Sequence, residues 1–128
     1  QVIHSDYPNL HDLKLGEESG VTFFQAKKDK GSYTIIIGDA TTELLKFHKI
    51  FPKQKFSSIF QDPFSPKKNP TLWTTKWFES LKEVSKDNAI LSTYSASSSI
   101  RKNMEEAGFS VFNRKGFAEK RSCTYALV

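Results

Sequence analysis

The chain has 128 residues, of which 38% are hydrophobic and 13% aromatic, so it suits one domain with a modest core. This composition argues against disorder, and the longest apolar runs, such as YTIII at 33–37, are far too short to span a membrane. The net charge of +5 permits a polyanionic partner without requiring one. A single cysteine, Cys123, excludes an internal disulfide framework and favours a cytoplasmic protein.

The first half of the chain predicts a hairpin, a helix and a strand. Residues 1–19 are polar and turn-rich without a sustained period, so we expect an irregular lead-in there and an α/β part over residues 20–128. VTFFQA and SYTIIIG flank the turn-like KKDKG, which is typical of a β-hairpin. DATTELLKFHKI places an acid and threonines ahead of leucines, as at a helix start, and KFSSIFQD has the length of a strand.

The second half predicts two helices and three strands. NPTLWTTKWFESLKEVSKDN indicates a helix capped by Asn69, with Pro70 in its first turn. Its apolar residues recur on one face: Trp73, Trp77, Leu81 and Val84. AILSTYSA is typical of a buried strand, and SSSIRKNMEEAG predicts a helix that ends at Gly108. Its inward residues are expected to be Ile100, Met104 and Ala107. FSVFNRKGF and RSCTYALV are expected to be two closing strands.

This alternation of strands and helices indicates an α/β fold, with a mostly parallel sheet and helices on both faces. Ligands of such sheets bind beyond the carboxyl ends of the strands. Two acids fall at strand ends, Asp39 after YTIIIG and Asp62 after FSSIFQ. The segment QDPFSPKKNP therefore places a carboxylate and an aromatic ring on a proline-stiffened turn, where an active site is expected.

Four segments resemble one known family in their order along the chain. They are IIIGDATTEL, FQDPFSPKKNPTLWT, LSTYSASSSIRKNMEEAGF and RKGFAEKRSCTYAL. Together they are similar to the S-adenosylmethionine-dependent methyltransferase domain of the MnmC type, over roughly residues 33–128. The resemblance implies a Rossmann-like class I methyltransferase sheet and S-adenosyl-L-methionine as cofactor. It also implies methylation of the aminomethyl group of a modified wobble uridine in tRNA.

The sequence departs from the family pattern at three points. Pro63 stands where the family usually has a small residue, and Ala118 where it often has glycine. The glycine-rich first strand-turn and the acid that holds the ribose are absent, and the first residue is Gln1 rather than methionine. We therefore expect residues 1–128 to be the C-terminal portion of a single methyltransferase domain whose first strands are missing. Such a piece is expected to self-associate, or to be complemented, through exposed strand edges.

Asp62 and Phe64 are the residues expected to act in catalysis. Methyl transfer from a sulfonium requires an amine that has lost its proton, and the Asp62 carboxylate can orient the amine or take that proton. Phe64 can stack on a flipped base. The resemblance also implies that Asp39, Ala40 and Asp62 bind the cofactor, with Asp39 near the adenine amino group. Asp39 could equally be a plain helix cap, and Asp62-Pro63 a plain turn.

A wider group of residues is expected to contact the substrate: Pro63, Ser65, Lys67, Lys68, Tyr94, Lys120 and Arg121. Lys67 and Lys68 adjoin the predicted site, so a tRNA backbone would find cations there, although solvated surface also explains such charges. Trp73 and Trp77 are expected in the core rather than at a stacking platform. The histidines lack metal-ligand spacing, and Cys123 is expected to pack within a strand.

Two other classes of function remain open from the residues. A non-catalytic RNA-binding α/β module would explain the basic balance and the aromatics, but it leaves Asp62 unexplained. A small-molecule amine methyltransferase would keep the cofactor chemistry and need no basic surface. Cofactor binding separates the first class from the enzymes, and salt-sensitive competition by tRNA separates the second.

Overall fold

The computed structural model describes residues 11–28, 30–114 and 123–128. The chain divides into two compact units, Gln1–Phe51 and Pro52–Val128. Each unit has its own sheet, one of three strands and one of four. The mixture of sheets and helices confirms the α/β class. Within the described part of the chain, no helix is both long enough and apolar enough to cross a bilayer.

The first unit is an antiparallel sheet of three strands followed by a helix. Its strands are β1 (His11–Glu18), β2 (Val21–Lys28) and β3 (Gly31–Ile37), in that spatial order, and its helix is α1 (Ala40–Ile50). The predicted hairpin and helix are thus confirmed as β2, β3 and α1.

Strand β1 corrects the expectation of an irregular segment over residues 1–19, at least for residues 11–18. Ser19 and Gly20 both have positive φ, 49° and 76°, and Glu18 pairs with Val21 across them. Two residues in the left-handed backbone conformation form a tight turn, and the twist of such a turn suits a two-residue hairpin connection. The polar strand was not evident in the sequence because β1 owes its place to this turn and to β2, not to its own apolar pattern.

One face of the three-stranded sheet forms the core of the first unit. Val21 and Phe23 are buried there with Phe47 of α1, and the Phe23 ring meets the Phe47 and Phe51 rings edge-on, with 6.0 Å between centroids. Leu15, Phe24 and Ile35 form a row of paired residues on the other face, where Leu15 and Ile35 are 57% and 53% exposed. The unit therefore buries one apolar face and leaves part of the other accessible.

The second unit is a four-stranded mixed sheet. Its strands are β4 (Phe56–Phe60), β5 (Ser85–Thr93), β6 (Ser110–Arg114) and β7 (Cys123–Leu127), in the order β4-β5-β7-β6. β4 and β5 are parallel, but β7 runs antiparallel to both β5 and β6, so the prediction of a mostly parallel sheet is wrong for the described strands. These strands are the four that the sequence predicts, and β4 lies at an edge of the sheet.

Helices α2 (Thr75–Glu83) and α3 (Ser98–Glu106) follow β4 and β5 respectively. The predicted inward residues of both helices are buried, and the predicted end of α3 is followed by Gly108 with φ +86°. Leu91 and Ala126 pair on the buried sheet face, whereas Phe60, Ile90 and Phe112 are exposed on the opposite face. The sequence pattern predicts helices on both faces, but within the described residues of this unit only one face is buried.

The start of α2 differs from the prediction. A short 3-10 helix (Pro70–Trp73) comes first, and Thr74 then caps α2: its Oγ1 accepts a hydrogen bond from the Trp77 amide at 3.2 Å. The Asn69 side chain makes no cap and instead accepts a bond from the Thr71 hydroxyl at 3.3 Å. The sequence offers two valid start signals five residues apart, and packing of Trp73 and Trp77 selects the later one.

Replacing Thr74 by alanine should therefore destabilise the protein more than the same change at Asn69. Loss of the Thr74 cap should lower the free energy of unfolding by about 1 kcal/mol. Asn69→Ala removes only an exposed hydrogen bond and should change it by less than about 0.5 kcal/mol. Urea denaturation followed by circular dichroism measures both, and the reverse order would show that the helix begins at Asn69.

Candidate functional site

An open cavity lies at the end of the second unit's sheet. β4 and β5 are parallel, so their carboxyl ends reach the same edge, and Asp62 and Tyr94 follow them there. The cavity has a volume of about 320 Å³. Its lining comes from the ends of all four strands: Phe60, Gln61, Asp62, Ser92, Thr93, Tyr94, Arg114, Cys123, Thr124 and Tyr125. A ligand at this edge would meet one carboxylate, one guanidinium and three aromatic rings.

Asp62 is exposed at the mouth of this cavity. No side chain or amide of the described residues donates a hydrogen bond to its carboxylate. Both oxygens can therefore accept protons or hydrogen bonds from a bound molecule. This is the arrangement that a general base or an orienting acceptor needs.

The turn after Asp62 presents an aromatic ring and two lysines. The Ser65 carbonyl accepts hydrogen bonds from the amides of Lys68 and Asn69, at 2.8 and 2.9 Å, which closes the turn. Phe64 is 73% exposed, and Lys68 Nζ lies 5.9 Å from the centre of its ring. Such a cation–π contact is weak at an exposed site, so it leaves the ring accessible. Lys67 is also exposed, and Pro63 is half-buried.

Buried polar bonds lie directly behind this turn. Gln61 is buried, and its Nε2 donates to the Leu72 carbonyl at 2.7 Å while its Oε1 accepts from Trp77 Nε1 at 3.3 Å. Trp73 Nε1 donates to the Phe64 carbonyl at 2.9 Å. Both tryptophans are therefore core residues, as predicted, and each also uses its indole N–H next to the site.

The opposite wall of the cavity is held by a separate set of bonds. Arg101 Nε donates to Thr124 Oγ1 at 2.9 Å, and that hydroxyl donates to the Ser95 carbonyl at 2.7 Å. These bonds join α3 and β7 to the segment that carries Tyr94. Tyr94, which the sequence predicts to contact the substrate, lines the cavity, whereas Ser95 does not.

Asp39 and Ala40 lie in the first unit, at the start of α1. Asp39 Oδ1 accepts from the Thr41 hydroxyl at 2.5 Å and from the Thr41 amide at 2.8 Å, so the residue is an N-cap. These bonds from Thr41 lower the pKa of the Asp39 carboxyl below its ordinary value. Oδ2 accepts nothing from the described residues, and the first amide of a helix, here that of Ala40, has no intrahelical partner.

The structure thus places the predicted residues in three groups. Asp62 and Tyr94 line the cavity, and Pro63, Phe64, Ser65, Lys67 and Lys68 form the turn beside it. Asp39 and Ala40 belong to the other unit, and Lys120 and Arg121 lie outside the described residues. The sequence does not mark Phe60, Arg114 and Tyr125 as cavity-lining residues. The only available signal for them was their place at strand ends, which many surface residues share.

Comparison with known proteins identifies the class. Residues 7–128 match the family model described as S-adenosyl-L-methionine-dependent methyltransferase. The chain belongs to this family, whose cofactor is S-adenosyl-L-methionine. The predicted cofactor and the Rossmann-like methyltransferase fold are thereby confirmed.

Among curated proteins, the chain is similar to "tRNA 5-methylaminomethyl-2-thiouridine biosynthesis bifunctional protein MnmC". It is 33% identical to that of Leptospira interrogans over 102 residues, covering 80% of this chain and 15% of the relative. It is 37% identical to that of Ralstonia nicotianae over 93 residues, covering 73% and 13%. The crystal structure of MnmC2 from Aquifex aeolicus has 37% identity and a TM-score of 0.58, covering 70% of this chain and 28% of that one. The chain therefore spans only a small part of the proteins it matches.

Each unit carries some of the residues that the sequence predicts to bind the cofactor. In the first unit, Asp39 Oδ2 and the Ala40 amide offer a hydrogen-bond acceptor beside a donor. In the second unit, the cavity beside Asp62 offers an open carboxylate. Neither set includes a glycine-rich turn.

The titration of Asp39 gives a test of its capping role. Because the pKa of Asp39 is lowered in the folded protein, its charged carboxylate stabilises the folded state at pH values above the unfolded pKa of about 4. This stabilisation is lost as the pH falls through the folded pKa. Asp39→Ala should therefore lower the melting temperature at pH 7 and lower it less at pH 3. Asp39→Asn, which accepts the same bonds without titrating, should remain close to the parent at pH 7. A pH-independent effect of Asp39→Ala on thermal unfolding would contradict the assignment.

Proposed function

We propose that the whole protein transfers a methyl group from S-adenosyl-L-methionine to the aminomethyl group of a modified wobble uridine in tRNA, in the cytoplasm. The observation that carries this proposal is Asp62, an exposed carboxylate with no donor among the described residues, at the mouth of a strand-end cavity. Membership of the methyltransferase family supports the reaction type. The printed names of the MnmC relatives support the substrate.

Asp62 handles the proton in the proposed reaction. The cofactor supplies an electrophilic methyl group on a sulfonium. An aliphatic amine is protonated at neutral pH, as its ordinary pKa near that of lysine implies, so it must lose a proton before its lone pair can attack. The Asp62 carboxylate would accept a hydrogen bond from the ammonium group, orient the nitrogen and receive or pass on that proton. The protein's main contribution is then position and exclusion of water.

Phe64 would hold the base that carries the amine. Its ring is accessible and lies two residues after Asp62, so a base stacked on it would have its substituent near the carboxylate. Stacking on an aromatic side chain is how proteins hold an extruded or single-stranded base, and it contributes about 1–3 kcal/mol per base. Tyr94, at the same end of the neighbouring strand β5, is a second ring that would border the base.

The lysines of the turn would contact the tRNA backbone. Lys67 and Lys68 are exposed beside the cavity, and neither forms an ion pair with a described acidic residue. Lys120 and Arg121, which lie outside the described residues, are proposed as tRNA contacts from the sequence alone. Arg114, at the cavity wall, adds a further positive charge close by. Phosphates that approach the site beside Asp62 would therefore meet several positive charges.

Two binding measurements separate this proposal from its alternatives. An RNA-binding module without activity would bind tRNA and fail to bind S-adenosyl-L-methionine in calorimetric titration. A small-molecule amine methyltransferase would bind the cofactor, and tRNA would not compete with its amine substrate.

Self-association through the edge strand β4 stays a prediction, and sedimentation of the protein tests it.

Asp62→Ala should lower the rate constant of methyl transfer by about 100-fold or more, because general-base and orienting effects together are worth that much. Cofactor binding should largely survive, because Asp39 and Ala40, the other residues proposed to bind the cofactor, are unchanged. The assay uses the whole native protein with tRNA that carries the aminomethyl group. Asp87→Ala, an exposed acid of β5 near the opposite end of the sheet, is the matched control. Full turnover by the Asp62 variant would refute the proposed chemistry.

Removing Lys67 and Lys68 together should weaken tRNA binding and flatten its salt dependence. Each phosphate contact that is lost lowers the slope of log K against log salt by about one. The control removes two exposed lysines near the other end of β4 and β5, Lys53 and Lys86. Filter binding across a salt series compares the two double variants. Equal slopes in both would mean that the turn lysines are ordinary surface charges.

A further inference from the structure

The side chain of Gln61 is a buried polar group next to the proposed catalytic carboxylate. It is only 6% exposed, although glutamine is a residue type found mostly at surfaces. Its amide joins two groups of the following helical segment, the Leu72 carbonyl and the Trp77 indole N–H. Burial of an amide is costly unless such bonds satisfy it. The Gln61 amide is therefore satisfied by these two bonds although it is buried.

The two partners fix which way the Gln61 amide points. A backbone carbonyl only accepts and an indole N–H only donates, so Nε2 must face Leu72 and Oε1 must face Trp77. A carboxylate at this position would oppose the Leu72 carbonyl, and an aliphatic side chain would leave both partners unsatisfied. The Gln61 backbone is also fixed, because its amide donates to the Ser92 carbonyl of β5 at 2.9 Å.

Trp73 fixes the other side of Asp62. Its indole donates to the Phe64 carbonyl at 2.9 Å, and its own carbonyl accepts from Asn103 Nδ2 of α3 at 2.8 Å. Among the described residues, the bond from the Trp73 indole is the one hydrogen bond made to the segment 62–64. Pro63 within this segment has no N–H to donate. Asp62 therefore lies between two points of attachment, Gln61 and Phe64, both tied to the helical layer behind.

We infer that Gln61 and Trp73 are positioning residues that set where the Asp62 carboxylate and the Phe64 ring stand relative to each other. This inference rests on the proposed function, because it assigns roles with respect to the proposed catalytic group. Asp62 and Phe64 are themselves exposed, so among the described residues their side chains are held less by packing than by the backbone that carries them. Their placement depends on the backbone, and the backbone depends on bonds from Gln61 and Trp73. A displacement of about 1 Å at a reacting group can cost a factor of about 100 in rate.

The experiment removes each bond with the least change in shape. Trp73→Phe keeps an aromatic ring and loses the indole N–H, and Gln61→Leu keeps the approximate volume and loses both amide bonds. Ser85→Ala is the control, because it also deletes one buried hydrogen bond, from Ser85 Oγ to the Leu81 carbonyl at 2.7 Å. Ser85 pairs with Phe56 at the start of β4, the end away from Asp62. Asp62→Ala is measured in parallel in the same assay of the whole native protein.

The readouts are kcat, the KM for tRNA, cofactor affinity and melting temperature. We expect Trp73→Phe and Gln61→Leu to lower kcat by about 10- to 100-fold, with cofactor affinity unchanged. Ser85→Ala should lower the melting temperature to a similar extent and keep the parental kcat. If all three variants lose stability alike and keep kcat while Asp62→Ala is inactive, the inference is overturned and the proposed function stands. If Asp62→Ala is fully active, the proposed function itself fails, whatever the other variants do.

Discussion

The parallel pairing of β4 with β5 is the constraint on which the site depends. Because the two strands run in the same direction, the segments that follow them emerge at one edge, and the residues there become neighbours although 32 positions separate Asp62 from Tyr94. β7 then runs antiparallel beside β5 and brings its first residues, with the last residues of β6, to the same edge. The cavity is thus a product of strand direction. The helices α2 and α3 cover the sheet face that carries Leu91 and Ala126. This packing holds the strands of the sheet in place.

The same layer of helices has a second role in the site. Trp73 and Trp77 are spaced as core residues and are buried as such, with relative exposures of 6% and 7%. Their ring N–H groups nevertheless need acceptors, because an unpaired buried donor is costly. Those acceptors are Phe64 O and Gln61 Oε1, both adjacent to the turn that holds Asp62. Packing and site geometry are therefore linked through two indole nitrogens.

Much of this could be read from the sequence, for reasons that differ between elements. The hairpin of β2 and β3, the helices α1 and α3 and the strands β4 to β7 have apolar patterns or caps strong enough to decide locally. β1 does not, since its strand depends on the Ser19-Gly20 turn and a partner. The start of α2 was misjudged because Asn69 and Thr74 are both good caps, and only the packing of the tryptophans distinguishes them. Asp62 was identifiable from its place after a strand, whereas the bonds of Gln61 were not, because they join residues 11 and 16 positions away through tertiary contact.

The position of β4 at the sheet edge affects the tendency of newly synthesised chains to aggregate. Among the described strands, β4 (FSSIF) is an edge strand and its Phe60 is 86% exposed, so this part of the chain presents unpaired backbone and apolar side chains to other chains. Lysines stand on both sides of it: Lys53 and Lys55 precede the strand, and Lys67 and Lys68 follow the turn. Charges that flank an apolar strand act as gatekeepers, since stacking such segments would bring like charges together. The turn lysines proposed to meet tRNA would thereby have a second role, in keeping the chain from aggregating.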